Sequence, residues 1–199
     1  MFTFFILSAF LPLFAGGETE DRLLAVANKH LITESDLRIA KIFSLEFPLP
    51  EVKGRDPHLQ FAIDEILLEE DAERFGVSSP SAKEVEAQIS ESSDHLPQNQ
   101  SLDHVLEGEG LSRQDLRDLV IRFLKVKSFI NQRINFFIFV NDQEIDDTLA
   151  ENRSIGEGIP PEKARKNAEE LIAEKKRKVK LEEYLVKRRA KATIRILEP

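Results

Sequence analysis

The sequence predicts a mainly α-helical protein whose two ends join in one small β-sheet, and three observations predict it. Apolar residues recur at three- and four-residue steps over most of the chain. Side chains of the Ser, Thr, Asp and Asn type stand just ahead of these periodic runs, where helices begin. Strand-like segments lie near the two ends, Leu23 to Ile32 and Ala192 to Ile196.

Leu23 to Ala27 and His30 to Ile32 form a hairpin about the turn Asn28-Lys29. Thr33 with Asp36 makes a short capping box, so a helix starts at Glu34 and runs to about Glu46, ahead of Pro48 and Pro50. Asp56-Pro57 opens a second helix, with Leu59, Ala62, Ile63, Ile66 and Leu67 on one stripe and Gly76 as its left-handed stop. Ser81 with Glu84 starts a third, carrying Val85 and Ile89, which ends in the polar stretch from Ser90 to Ser101. Leu102 to Leu106 is a helical turn closed by Gly108 and Gly110. Ser112 then caps a longer helix in which Leu116, Leu119, Val120, Phe123, Leu124 and Ile130 share a face.

The run Phe136-Phe137-Ile138-Phe139-Val140 is apolar on both faces. It fits either an extended core segment or a surface that takes a partner. Asn141 with Glu144 caps a short helix to about Glu151, Ser154 to Pro160 is a linker, and Pro161 opens a long charged helix to about Arg189. Ala164, Ala168, Leu171, Ile172, Val179, Leu185 and Val186 are scattered along it. The closing strand at Ala192 to Ile196 needs a partner, and the N-terminal hairpin supplies it, with Phe137 to Val140 as a further candidate strand.

Residues 1–14 carry no charged side chain and are followed by Ala15, Gly16 and Gly17. They read as a signal peptide spanning residues 1–17, too short for a bilayer span, although the amino end lacks the usual Lys or Arg. An uncleaved anchor is the alternative. Residues 18–152, a linker at 153–160 and residues 161–199 complete one exported core. The absence of Cys excludes a disulfide framework, a thiol nucleophile and a lipid anchor on Cys. Net charge is −8, divided into +6 from Pro161 onward and −14 before it. The basic tail is therefore expected to dock on the acidic body, with exposed pairs worth only about 0–1 kcal/mol each.

Catalytic chemistry finds no support in the pattern. His30, His58, His95 and His104 fall in separate segments without metal-ligand spacing, and neither Asp94-His95 nor Asp103-His104 is more than a polar helix end. No catalytic residue, metal or cofactor is expected. The basic cluster of Lys175, Lys176, Arg177, Lys178 and Lys180, echoed at Lys187, Arg188, Arg189 and Lys191, is interrupted by Glu182 and Glu183 and preceded by Glu169, Glu170 and Glu174, and reads as a solvated helix face, not a nucleic-acid site. Apolar surface remains: Phe43, Phe47, Phe136, Phe137 and Phe139 are the candidate contacts for extended polypeptide, because aromatic rings offer the most area per residue. Plain core packing competes for each of the five and is the commoner fate of such residues.

The segments Ala25-Val26-Ala27-Asn28 and Leu31-Ile32-Thr33-Glu34-Ser35-Asp36-Leu37 resemble the opening of SurA-type chaperones and their parvulin-bearing relatives. The similarity continues at Ala62 to Leu68, Ala72 to Val77, Glu84-Val85-Glu86, Gly110-Leu111-Ser112, Asp115-Leu116-Arg117 and Val140 to Ile145. It closes at Glu169 to Leu197, so it covers nearly the whole chain after residue 17. In that family parvulin domains sit between the short helix and the C-terminal helix, where this sequence has only Asn152 to Pro160, too few residues for a domain. The resemblance therefore implies the helical chaperone core alone, without prolyl isomerase activity. It also implies a periplasmic location and unfolded clients, often outer-membrane proteins, held by apolar surface in a helical cradle without ATP. Two other readings stay open, an envelope assembly subunit serving one partner and a degenerate isomerase relative. Clients and oligomeric state are not encoded in any motif.

Overall fold

The structure, a computed structural model, describes residues 21–45, 56–96, 100–155 and 157–197. The signal-peptide reading at residues 1–17 and the candidate Phe47 lie outside the described residues.

Strands β1 (Leu23–Ala27) and β2 (His30–Thr33) pair antiparallel across a turn in which Asn28 adopts φ 53°. Asn is among the few residues that tolerate this left-handed conformation. Strand β3 (Ile194–Ile196) pairs antiparallel with the other edge of β1, Ala25 opposite Ile196 and Ala27 opposite Ile194, so the order is β2-β1-β3. The two ends meet as the sequence predicts. Asn28 is the pin: its backbone N–H donates to the Thr193 carbonyl at 2.7 Å, and its side-chain oxygen accepts from the Thr193 N–H at 2.9 Å. Its amide nitrogen donates to Glu70 at 2.7 Å. The segment from Phe137 to Val140 joins no strand of this sheet; it follows a 3-10 turn at Asn135–Phe137 and leads straight into a helix.

Seven α-helices are found among the described residues: α1 (Glu34–Ile42), α2 (Pro57–Arg74), α3 (Ala82–Asp94), α4 (Leu102–Gly108), α5 (Arg113–Arg133), α6 (Asp142–Glu151) and α7 (Pro161–Arg189). The protein is mainly α. Thr33, Ser81, Ser112 and Asn141 each form reciprocal capping boxes, and Asp56 and Ser101 accept one first-turn N–H each. Helix α1 stops four residues before the expected end. Ser44 takes φ 51°, and the Leu45 N–H reaches back to the Ala40 carbonyl at 2.9 Å, a Schellman closure that turns Phe43 and Leu45 into the core. The apolar pull on Leu45 stops the helix before either proline is reached. Ser44→Gly removes a left-handed β-carbon and is expected to raise stability by about 1 kcal/mol, read as a higher urea midpoint.

The sequence places one apolar stripe on α2, but this helix is buried around its circumference. Ile63, Ile66 and Leu67 pack under the sheet with Ala25, Ala27 and Ile32, while Leu68 and Ala72 pack with Phe129 of α5 and with Leu181 and Leu185 of α7. Asp64 and Asp71 are buried too. The basic tail meets them there: Arg189 forks onto Asp64, with Nε at 2.6 Å, and Gln60 donates to the same carboxylate at 2.9 Å. Arg188 bonds both Asp71, at 3.0 Å, and Glu70, at 2.6 Å, and the Tyr184 hydroxyl donates to Asp71 at 2.6 Å. Burial and this bond to Asp71 raise the Tyr184 pKa well above its ordinary value, so the phenol stays protonated. The expected docking of the tail on the acidic body is present, yet its main pairs are buried and positional, not exposed and weak.

A second cluster gathers α1, α3, α4 and α5 around Phe43, Val85, Leu106, Leu116 and Val120. Helix α7 changes the face it buries along its length. Ala168 and Ile172 pack with Ile145 of α6, whereas Leu181, nine residues beyond Ile172 and so about half a turn away, packs with α5. Between Ala173 and Lys180 no residue of α7 is buried. Among the described residues no helix is long and apolar enough to cross a membrane.

Candidate functional site

The exposed stretch of α7 faces the loop between α5 and α6. Helix α5 ends on Ile134, which is buried with Phe129 and Leu181, and the loop reaches α6 through Val140, half-buried beside Ile145. These two anchors hold a short ridge between them. The Phe137 N–H donates to the Ile134 carbonyl at 3.2 Å and the Ile138 N–H to the Asn135 carbonyl at 3.0 Å, which closes the 3-10 turn. The rings of Phe136 and Phe137 meet edge to face, centroids 5.3 Å apart. On the far side, Lys176 of α7 donates to the Phe139 carbonyl at 2.6 Å and also pairs with Glu144. Glu144 is held below the ordinary carboxylate range first by that lysine and then by the Asn141 N–H.

The backbone of the ridge is thus tied at both ends while its rings face outward. Phe136, Phe137 and Phe139 are 71%, 60% and 74% exposed. The run is therefore not an extended core segment: its three rings lie at the surface. The reason is steric and electrostatic: the inward places are taken by Ile134 and Val140, and the neighbouring helix face presents Lys175, Lys176 and Lys180. The ridge and α7 enclose an open cleft of about 480 Å³, lined by Phe137, Ile138, Phe139, Val179, Lys175, Lys176, Lys180 and Glu183.

Phe43 does not belong to this surface. It is fully buried between α1 and α5 and serves the core, because the early stop of α1 turns it inward. Sequence reasoning missed the second wall, Val179 with its lysines, which it placed among scattered apolar residues and a solvated charged face. The usable signal was the phase of Val179 and Val186, half a turn from Leu181 and Leu185 in part and so unable to share their burial. A second cleft, about 650 Å³, lies at the sheet end between Leu23, Leu37, Arg38, Leu59 and Leu197, and no predicted contact residue lines it.

No protein-family model and no curated protein matches the chain.

The three phenylalanine rings of the ridge offer apolar contact. Among the described residues no group of His, Asp or Glu is arranged to hold a metal ion. Asp103, one of the acid–base pairs weighed above, forks onto Arg113 at 2.7 and 2.8 Å instead of engaging its neighbour His104. What the site provides is aromatic area held out to solvent on a fixed backbone, next to a row of cations.

Proposed function

We propose that this protein is an ATP-independent chaperone or escort of the periplasm, exported by residues 1–17, that holds unfolded polypeptide, outer-membrane proteins among it, through the ridge of Phe136, Phe137 and Phe139. The resemblance of Ala25 to Leu37 and of the later segments to SurA-type cores supports the class, and the hairpin, helices and closing strand occur in the order that resemblance implies. The observation that carries the reading is the exposure of three neighbouring phenylalanines in a chain that buries Phe43, Phe61, Phe123 and Phe129. Rings left in water on a tethered backbone are available to a partner at no unfolding cost, and burying one is worth about 1.5–3 kcal/mol. No catalytic role is assigned to any residue.

The test is aggregation of a denatured outer-membrane β-barrel protein with and without the exported chain. The triple variant Phe136→Ser, Phe137→Ser, Phe139→Ser is expected to weaken suppression by at least about tenfold in the concentration required, with the melting temperature unchanged because the rings are exposed. Equal suppression by the variant would reject the ridge as the holding surface. The modest extent of the ridge also favours a narrower role, a subunit serving one envelope partner. Crosslinking in the envelope separates the two, since one stoichiometric product supports the narrow role and a ladder of clients the general one.

A further inference from the structure

The stripe on α7 that packs against α6 does not end where α6 ends. Ile172, Val179 and Val186 stand at seven-residue steps, so each falls within about 20° of the last around the helix. Ile172 is covered by Ile145 of α6. Helix α6 begins at Asp142, near Lys176, which its Glu144 meets; about one turn later Val179 is 55% exposed, and Val186 is 54% exposed. The helix–helix seam therefore continues uncovered for about 10 Å along the axis, a length that three or four extended residues span. The phenylalanine ridge stands along its start and makes the cleft described above.

Charge says what would lie in it. Lys175, Lys178, Lys180 and Lys187 are exposed around the stripe against Glu174, Glu182 and Glu183; Glu183 also lines the cleft and is paired with Lys180 at 3.3 Å. A segment entering the cleft with a basic flank meets like charge, whereas an acidic flank meets the ammonium groups of Lys175, Lys178 and Lys187, which pair with no carboxylate among the described residues. The cleft is walled by the ridge on one side and the helix on the other, which suits a chain better than the plane of a lipid surface.

We infer that the cleft selects extended polypeptide segments in which an apolar or aromatic anchor is flanked by Asp or Glu, the anchor lying between Phe139 and Val179 and the carboxylates on the unpaired Lys175 and its neighbour Lys178. This inference rests on the chaperone reading above and adds to it a class of client.

Three labelled peptides sharing one Phe-Leu anchor, flanked by Glu, Ser or Lys, are titrated with the full-length exported chain and followed by fluorescence anisotropy. At low salt the Glu-flanked peptide is expected to bind about fivefold or more tighter than the Lys-flanked one, and the difference should shrink at about 0.5 M salt. Lys175→Glu with Lys178→Glu should reverse the order, and Val179→Asp should weaken all three. Equal binding of the three peptides, with aggregation suppression intact, would overturn the acidic selectivity and leave the chaperone reading standing. No peptide binding and no suppression would overturn both. Binding of anionic vesicles in place of every peptide, or self-association abolished by Val186→Asp, would also overturn it, by naming a membrane or a second copy as the occupant.

Discussion

Replacing Asp64 by Ala is expected to lower the folding stability by about 3–5 kcal/mol, seen as a large fall in the urea midpoint with little change in slope. The carboxylate is fully buried on α2, and the Arg189 side chain that meets it is only 15% exposed. Truncating the acid leaves a guanidinium with its stem enclosed and its two-pronged hydrogen bond unmade, which costs more than the pair itself contributes. Arg189→Met should cost about as much, because the orphaned charge is then Asp64, left with Gln60 alone among the contacts named above. The double replacement Asp64→Leu with Arg189→Met removes both charges together and is expected to recover most of the loss. A decrease below about 1 kcal/mol in either single variant would show that water reaches the pair. The position of Arg189 gives the prediction its structural meaning. It closes α7 just before β3, so the pair sets where the last strand begins, alongside Asn28 with Thr193.

Phe129→Ala should be comparably severe, about 3–5 kcal/mol, measured by thermal or urea unfolding. This ring is fully buried where α2, α5 and α7 converge, beside Leu68, Val126 and Leu185. It stacks on Phe75 at 6.0 Å and tilts against Tyr184 at 5.8 Å. Three separate helices line the space the ring would vacate, and each is held elsewhere, α2 by the sheet and α7 by its two arginines, so the gap cannot close by a small shift. Tyr184 is the neighbour to watch. Its hydroxyl is anchored on Asp71, so it cannot swing to fill the cavity without giving up a buried bond. A loss near 1 kcal/mol would mean that the cluster collapses more freely than its anchoring implies.

Much of this fold was legible in local chemistry. Thr33, Ser81, Ser112 and Asn141 each find a partner three residues on, and the hydrogen bonds involved need nothing beyond those four residues. Gly76 closes α2 as expected, at φ 68°. The stop of α1 was misread because it depends on where Leu45 is buried, a question that Pro48 and Pro50 do not answer. The candidate surface divided in the same way. Phe43 and Phe136 are the same residue type beside helix ends, and only the packing around each separates a core ring from an exposed one.

The sequence by itself determined where the helices begin, where the hairpin turns and that the chain ends supply the strands, because caps, turn residues and periodicity act over a few neighbours. Only the tertiary structure decided that α7 buries one face against α6 and another against α5, that Asp64 waits for an arginine 125 positions away, and that the phenylalanine ridge stays in water. Those outcomes depend on which element arrives next to which, and no short stretch of sequence carries that information.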